Sequence, residues 1–160
     1  AQIGHEFGTT TGRPRRTGWL DIVALKDADR TSGYSGLVVT KLDVLGGLDE
    51  IKICIGYELD GKPISYVPTL AEDLDRCVAV YETHPGFPAM SDDDWIDMAE
   101  RSRTEGSGFA AMPDAGRNIV DRIEQLSGIS VVCVGVGPDR KASIARKDGP
   151  FDIAWGEATF

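Results

Sequence analysis

The sequence predicts an α/β fold, a mixed sheet flanked by helices. Short, continuously apolar runs of the kind found in buried strands alternate with longer stretches whose apolar residues recur at helical spacing. Asp60-Gly61, set between two strand-like runs, is a two-residue hairpin signal. Glycine supplies 19 of 160 residues, about 12% against an ordinary value of about 7%, which calls for many turns.

Taken in order, residues 8–12 form a Gly/Thr-rich loop. A helix is expected over about 18–29, where Trp19, Leu20, Val23, Ala24 and Ala28 share a face, with Gly33 and Gly36 breaking it. Residues 36–42 (GLVVTKL) and 51–59 (IKICIGYEL) read as strands. The hairpin leads to a third strand around 63–67, and 78–82 adds a fourth. Ser91 followed by Asp92, Asp93 and Asp94 starts a helix, with acids at its positive end. Residues 103–114 read as loop. A helix over 114–127 turns Ile119, Val120, Ile123 and Leu126 inward and ends at Gly128. A buried strand over 130–136 stops at Gly137-Pro138, and a short strand lies near 142–146. The segment 151–160 is assigned no role.

The length is that of about one domain. Hydrophobic residues make up 41% and charged residues 27%, enough to build a core. The formal net charge is −9 and the pI about 4.6, which argues against nucleic-acid binding through a phosphate-neutralising surface. No stretch approaches the roughly 18 apolar residues of a membrane helix, and no signal peptide is expected. Cys54, Cys77 and Cys133 are odd in number and form no C-x-x-C pair, so buried reduced thiols and a cytoplasmic setting are expected.

Several familiar patterns are incomplete. Gly56-x4-Gly61-Lys62 starts like a phosphate-binding loop, but Pro63 stands where a Ser or Thr hydroxyl is needed. Gly135-Val-Gly137 follows a strand, yet Arg140 occupies the third glycine position of a dinucleotide fingerprint. Gly33-Tyr-Ser35-Gly36 has its second glycine too early for a nucleophile elbow. His5 and His84 lack metal-ligand spacing, and Asp92–Asp94 reads as a solvated helix start, so no metal site is expected in this chain.

Three loops carry chemistry. Thr9, Thr10, Thr11, Gly12, Arg13, Pro14, Arg15 and Arg16 combine hydroxyls and guanidiniums suited to carboxylate or phosphate, in a segment whose first twenty chain residues carry +2 while the other 140 carry −11. Thr40-Lys41-Leu42-Asp43 follows a buried strand; a carboxylate there accepts both N1–H and N2–H of guanine while the Lys stem covers the base. Gly135, Val136 and Gly137 let backbone N–H groups approach a carbonyl such as guanine O6. Taken singly, a basic surface turn and a strand end explain the first two; their joint occurrence describes a nucleotide beside an anionic co-substrate.

These segments, in this order, resemble the C-terminal part of the adenylosuccinate synthetase family. Gly8 to Asp21 (GTTTGRPRRTGWLD), Leu37 to Leu45, Leu48 to Cys54, Tyr81 to Gly86 and Gly137 to Arg140 carry the likeness, which spans nearly the whole chain. The resemblance implies a fold that is the C-terminal part of a P-loop NTPase-like synthetase. It also implies a GTP-dependent C–N ligase of purine (AMP) biosynthesis that joins IMP and L-aspartate using Mg²⁺, by way of a phosphorylated inosine O6. By position, it assigns Thr9, Thr10, Thr11, Gly12, Arg13, Pro14 and Arg15 to the aspartate loop, Arg13 also to IMP and Arg15 to GTP. Lys41, Leu42 and Asp43 match the guanine segment, and Gly135, Val136 and Gly137 the second guanine loop. Gly135 stands where the family commonly has Ser, and Gly46 where Asp is frequent.

The family's phosphate loop, catalytic Asp and catalytic His match nothing here. The expectation is therefore a single partial domain, 1–160, without catalytic residues or Mg²⁺ ligands and inactive alone, from a cytoplasmic, homodimeric enzyme. The rival expectation is a stand-alone guanine-nucleotide-binding module without catalysis.

Overall fold

The structure, a computed structural model, describes residues 4–151, so the tail from 152 onward lies outside it. The elements are β1 (Leu20–Asp21), α1 (Ile22–Ser32), β2 (Leu37–Val39), β3 (Glu50–Leu59), β4 (Lys62–Ile64), α2 (Ala71–Arg76), β5 (Val78–Pro85), α3 (Asp92–Thr104), α4 (Asp114–Ser127), β6 (Val131–Gly135) and β7 (Ser143–Ala145). Short 3₁₀ turns occupy Asp43–Leu45 and Gly108–Ala111.

The strands form two sheets where the sequence predicted one. In the first, β3 pairs antiparallel with β5 along its length, antiparallel with β4 and parallel with β1. In the second, β6 is central, parallel to β2 and antiparallel to β7. The division has a local cause. The Asp60-Gly61 hairpin and the returning β5 fill the edges of β3, with β1 completing the pairing at Ile53 and Cys54, so β2 pairs with β6 instead.

Helix starts follow side-chain chemistry. The α1 helix begins at Ile22, four residues later than the spacing predicted, because Asp21 caps it by accepting from the Ala24 N–H at 3.0 Å. Leu20 instead joins a strand and is exposed, as is Ala24. Gly33, at φ 66°, ends the helix in the left-handed region. At α3 the expected cap is a full capping box: the Ser91 side chain accepts from the Asp94 N–H, and the Asp94 carboxylate accepts from the Ser91 N–H. The α4 helix matches its predicted bounds and buries Ile119, Val120 and Ile123, with Leu126 half-buried and Gly128 as the cap. The α2 helix had no sequence signature, since none of its six residues is buried and no apolar period exists to read.

The main core lies between the second sheet and helices α3 and α4. Val120, Val131, Val134 and Ile144 are fully enclosed, and Trp95 is 1% exposed, edge-on to Phe87 with ring centres 6.1 Å apart. Burying each large apolar side chain contributes about 1.5–3 kcal/mol. A smaller cluster joins Val23, Cys54 and Tyr57. There the Tyr57 hydroxyl donates to Asp21, and burial first, then this carboxylate, keeps the phenol protonated. All three cysteines are free; Cys54 and Cys133 are buried, with thiol pKa values raised by burial, whereas Cys77 is only half-buried.

Charged pairs stitch the layers together. The Arg122 guanidinium on α4 donates to both oxygens of Glu82 on β5, at 2.7 and 2.6 Å. His84 Nε2 lies 2.9 Å from the same carboxylate without hydrogen-bond alignment, so the bidentate arginine carries this link.

Replacing Ser91 with Ala is expected to cost about 1 kcal/mol by urea denaturation, through loss of the capping box. Gly86→Ala is expected to cost about 3 kcal/mol or more. Its Cβ would stand 1.7 Å from the Leu48 carbonyl oxygen, so backbone has to move.

Candidate functional site

The Thr/Arg loop is the tip of a tight reversal. The Arg15 N–H donates to the Glu6 carbonyl at 2.9 Å, and the Gly8 N–H to the Arg13 carbonyl at 2.8 Å. Gly12 takes φ 62° at the turn. Thr9, Thr10, Thr11, Gly12, Arg13, Pro14, Arg15 and Arg16 are all exposed. An exposed, backbone-braced array of hydroxyls and guanidiniums can wrap an anionic ligand.

The second segment leaves the carboxyl end of β2. Lys41 adopts φ 64°, an uncommon left-handed conformation for a non-glycine residue. Leu42, 1% exposed, anchors the turn in the core, and its N–H donates to the Gly135 carbonyl at 3.2 Å. Asp43 then opens the 3₁₀ turn.

The third segment leaves the carboxyl end of β6. Val136 is fully buried, and its N–H donates to the Ala142 carbonyl at 2.9 Å. Gly135 packs on Thr40: a Cβ there would stand 3.5 Å from the Thr40 Cα, an ordinary contact, so the family's Ser would also fit. Since β2 and β6 are parallel neighbours, both segments emerge at the same end of the sheet, where α/β proteins place ligands.

Lys41, Asp43 and Gly137 meet there in a cleft of about 240 Å³, walled also by Gly4, His5, Val44, Asp92 and Pro138. Leu42, Gly135 and Val136 do not line it; they set its frame from behind. Arg13 does not line it either, so the Thr/Arg loop forms a neighbouring surface. A larger groove of about 450 Å³ runs along α3 between Asp94, Asp97, Glu100 and Arg101, but it holds none of the predicted residues.

The electrostatics single out Asp43. Its Oδ1 is buried and accepts no hydrogen bond within the described residues. Burial raises its carboxyl pKa above the usual range; its own and the Val44 N–H groups oppose this, and the nearby Asp92 carboxylate adds to it. A buried acceptor without a donor is a costly arrangement for a chain to keep, and a ligand N–H offsets that cost. Lys41 does not satisfy it, because the Lys41 ammonium donates to the Gly4 carbonyl at 2.6 Å and pairs with Glu6. Glu6 also pairs with Arg15 at 3.3 Å, and its pKa is lowered first by the Lys41 hydrogen bond. No motif pointed to Glu6, a lone acid ahead of the Thr/Arg loop. Asp92 read only as a helix start, which it also is. Among the described residues no group of three or more His, Cys, Asp or Glu side chains could hold a metal ion.

Comparison with known proteins bears on this arrangement. Residues 1–144 match the family model described as adenylosuccinate synthetase. The chain is 46% identical over 145 residues to the adenylosuccinate synthetase of Clostridium perfringens, covering 91% of this chain and 31% of that protein. It is 46% identical over 150 residues to that of Anaeromyxobacter dehalogenans, covering 94% of this chain and 32% of the relative. It superimposes on the fully ligated adenylosuccinate synthetase from Plasmodium falciparum with a TM-score of 0.77 at 33% identity, covering 91% of this chain and 32% of that one. The chain thus spans about a third of the length of the curated relatives it matches. With a family model matched over most of its length, and with the parallel strand ends of that fold framing its cleft, this chain belongs to the adenylosuccinate synthetase family.

Proposed function

We propose that this chain is the C-terminal portion of an adenylosuccinate synthetase with a P-loop NTPase-like fold, and that it supplies the guanine- and aspartate-recognising loops of the reaction joining IMP to L-aspartate with GTP. The observation that carries the reading is Asp43: a buried carboxylate oxygen without a donor, beside Gly137, at the ends of two parallel strands. The ring N1–H and the adjacent exocyclic N2–H of guanine match the two oxygens of a carboxylate, whereas adenine offers no such pair.

In this reading Lys41 covers the base, while Leu42 and Val136, buried and with their N–H groups taken by the Gly135 and Ala142 carbonyls, frame the cleft from behind. The Val136 N–H is therefore not available to guanine O6. Gly135 holds the Leu42 N–H, and Gly137 leaves room for the base. Thr9, Thr10, Thr11, Gly12, Arg13, Pro14 and Arg15 wrap the dicarboxylate amino acid; Arg13 also reaches IMP and Arg15 the GTP side. Their positive charge offsets charge spread over the transferring phosphoryl group. The phosphate loop, the catalytic Asp and His, and the Mg²⁺ ligands belong to the N-terminal portion, so the isolated chain has no turnover. Family resemblance makes the complete protein a cytoplasmic homodimer.

Joining this chain to a complete N-terminal portion and assaying adenylosuccinate formation tests the reading. Arg13→Leu is expected to reduce turnover about 100-fold or more; undiminished activity would refute the assignment. Asp43→Ala is expected to raise the KM for GTP about 100-fold, since both guanine donors lose a charged acceptor.

The raised pKa of Asp43 sets a pH dependence. The ionised form accepts both donors, so GTP affinity is full above that pKa and falls about tenfold per unit below it. In Asp43→Ala this acid-side decline should vanish, as binding measured across pH will reveal.

A further inference from the structure

Among the described residues Glu6 is the one acid paired with both the Thr/Arg loop and the Lys41–Asp43 segment. Its Oε1 accepts from the Lys41 ammonium of the guanine segment, and its Oε2 lies 3.3 Å from Arg15 Nη1 of the aspartate loop. Its backbone carbonyl takes the Arg15 N–H at 2.9 Å, and Gly4, two residues earlier, takes the Lys41 ammonium at 2.6 Å. The Glu6 side chain is 22% exposed, against 48% for Lys41 and 61% for Arg15, so the carboxylate is the sheltered centre of the trio.

Energetics argue that this trio does something other than hold the fold. Ion pairs this exposed contribute about 0–1 kcal/mol to stability. Yet Lys41 is kept in an uncommon backbone conformation with its ammonium directed at Glu6, although Asp43 shares its cleft and has a buried oxygen without a donor. Without Glu6 the ammonium keeps the Gly4 carbonyl and has the Asp43 carboxylate as an acid in the same cleft.

We propose that Glu6 is a positioning residue: it holds the Lys41 ammonium away from Asp43, leaving that carboxylate open for the base, and through Arg15 it ties the guanine segment to the aspartate loop. The proposal rests on the reading of Lys41 and Asp43 as guanine-recognising residues. It adds a residue whose action on the nucleotide runs entirely through its neighbours.

The test uses the complete synthetase carrying this chain, with steady-state kinetics and thermal midpoints for each variant. Glu6→Ala and the size-matched Glu6→Gln are each expected to raise the KM for GTP about tenfold, the loss typical of one charge-assisted hydrogen bond, with a smaller effect on kcat. Glu6→Asp should recover most of this. In a Lys41→Met background, Glu6→Ala should add less than about a twofold change, because the residue it restrains is gone. Two results would overturn the proposal. One is a lowered thermal midpoint with no rise in the KM for GTP; the other is a Glu6→Ala effect that multiplies fully with that of Lys41→Met. If Lys41→Met and Asp43→Ala raise the KM while Glu6→Ala does not, this inference alone fails. If neither of those two raises it, the guanine reading fails and takes this inference with it.

Discussion

The parallel pairing of β2 with β6 is the constraint from which the rest of the site follows. Val39 stands opposite Val134 in that ladder, so the chain leaves both strands at the same level and in the same direction. A hydrogen bond from Leu42 to Gly135 then locks the two exits together. Val131 and Val134 are fully enclosed, which makes β6 the most deeply buried of the described strands and the reference against which the exits are set. Moving β2 by one residue would turn Leu37 and Val39 to the opposite face and carry Asp43 away from Gly137.

Around that frame, polar groups are divided between structural and functional use. Asp21 caps α1 and accepts from Tyr57; Glu82 takes both arms of Arg122; Asp94 closes the α3 capping box. Each of these acids is partnered within the fold. Asp43 has a buried oxygen without a donor among the described residues, and burial raises its carboxyl pKa. The contrast is the one the proposed reading uses to set Asp43 apart from the acids that stabilise the fold.

The chain corresponds to about a third of the length of its relatives. In the proposed reading the cleft recognises the base and the neighbouring turn the anion, and Glu6 pairs with a residue of each. Placing residues on strand ends and a braced turn keeps them rigid.

Much of this was legible from residue order alone. The helix of Ile119, Val120 and Ile123, the Asp60-Gly61 hairpin, the Ser91 cap and the buried β6 all follow from local chemistry: periodicity, turn conformations and capping depend on neighbours a few positions away. The same local reasoning placed Asp43 and Gly137 after strands and gathered the Thr/Arg loop. What it could not reach was long-range. Two sheets rather than one, Asp21 as a cap instead of an inner turn of helix, and Glu6 as the partner of Lys41 thirty-five positions away are decided by which strand edges are filled and which charges those edges bring together. Strand pairing has no sequence period of its own, so the partners of β3 and β6 emerge only when the whole chain competes for them.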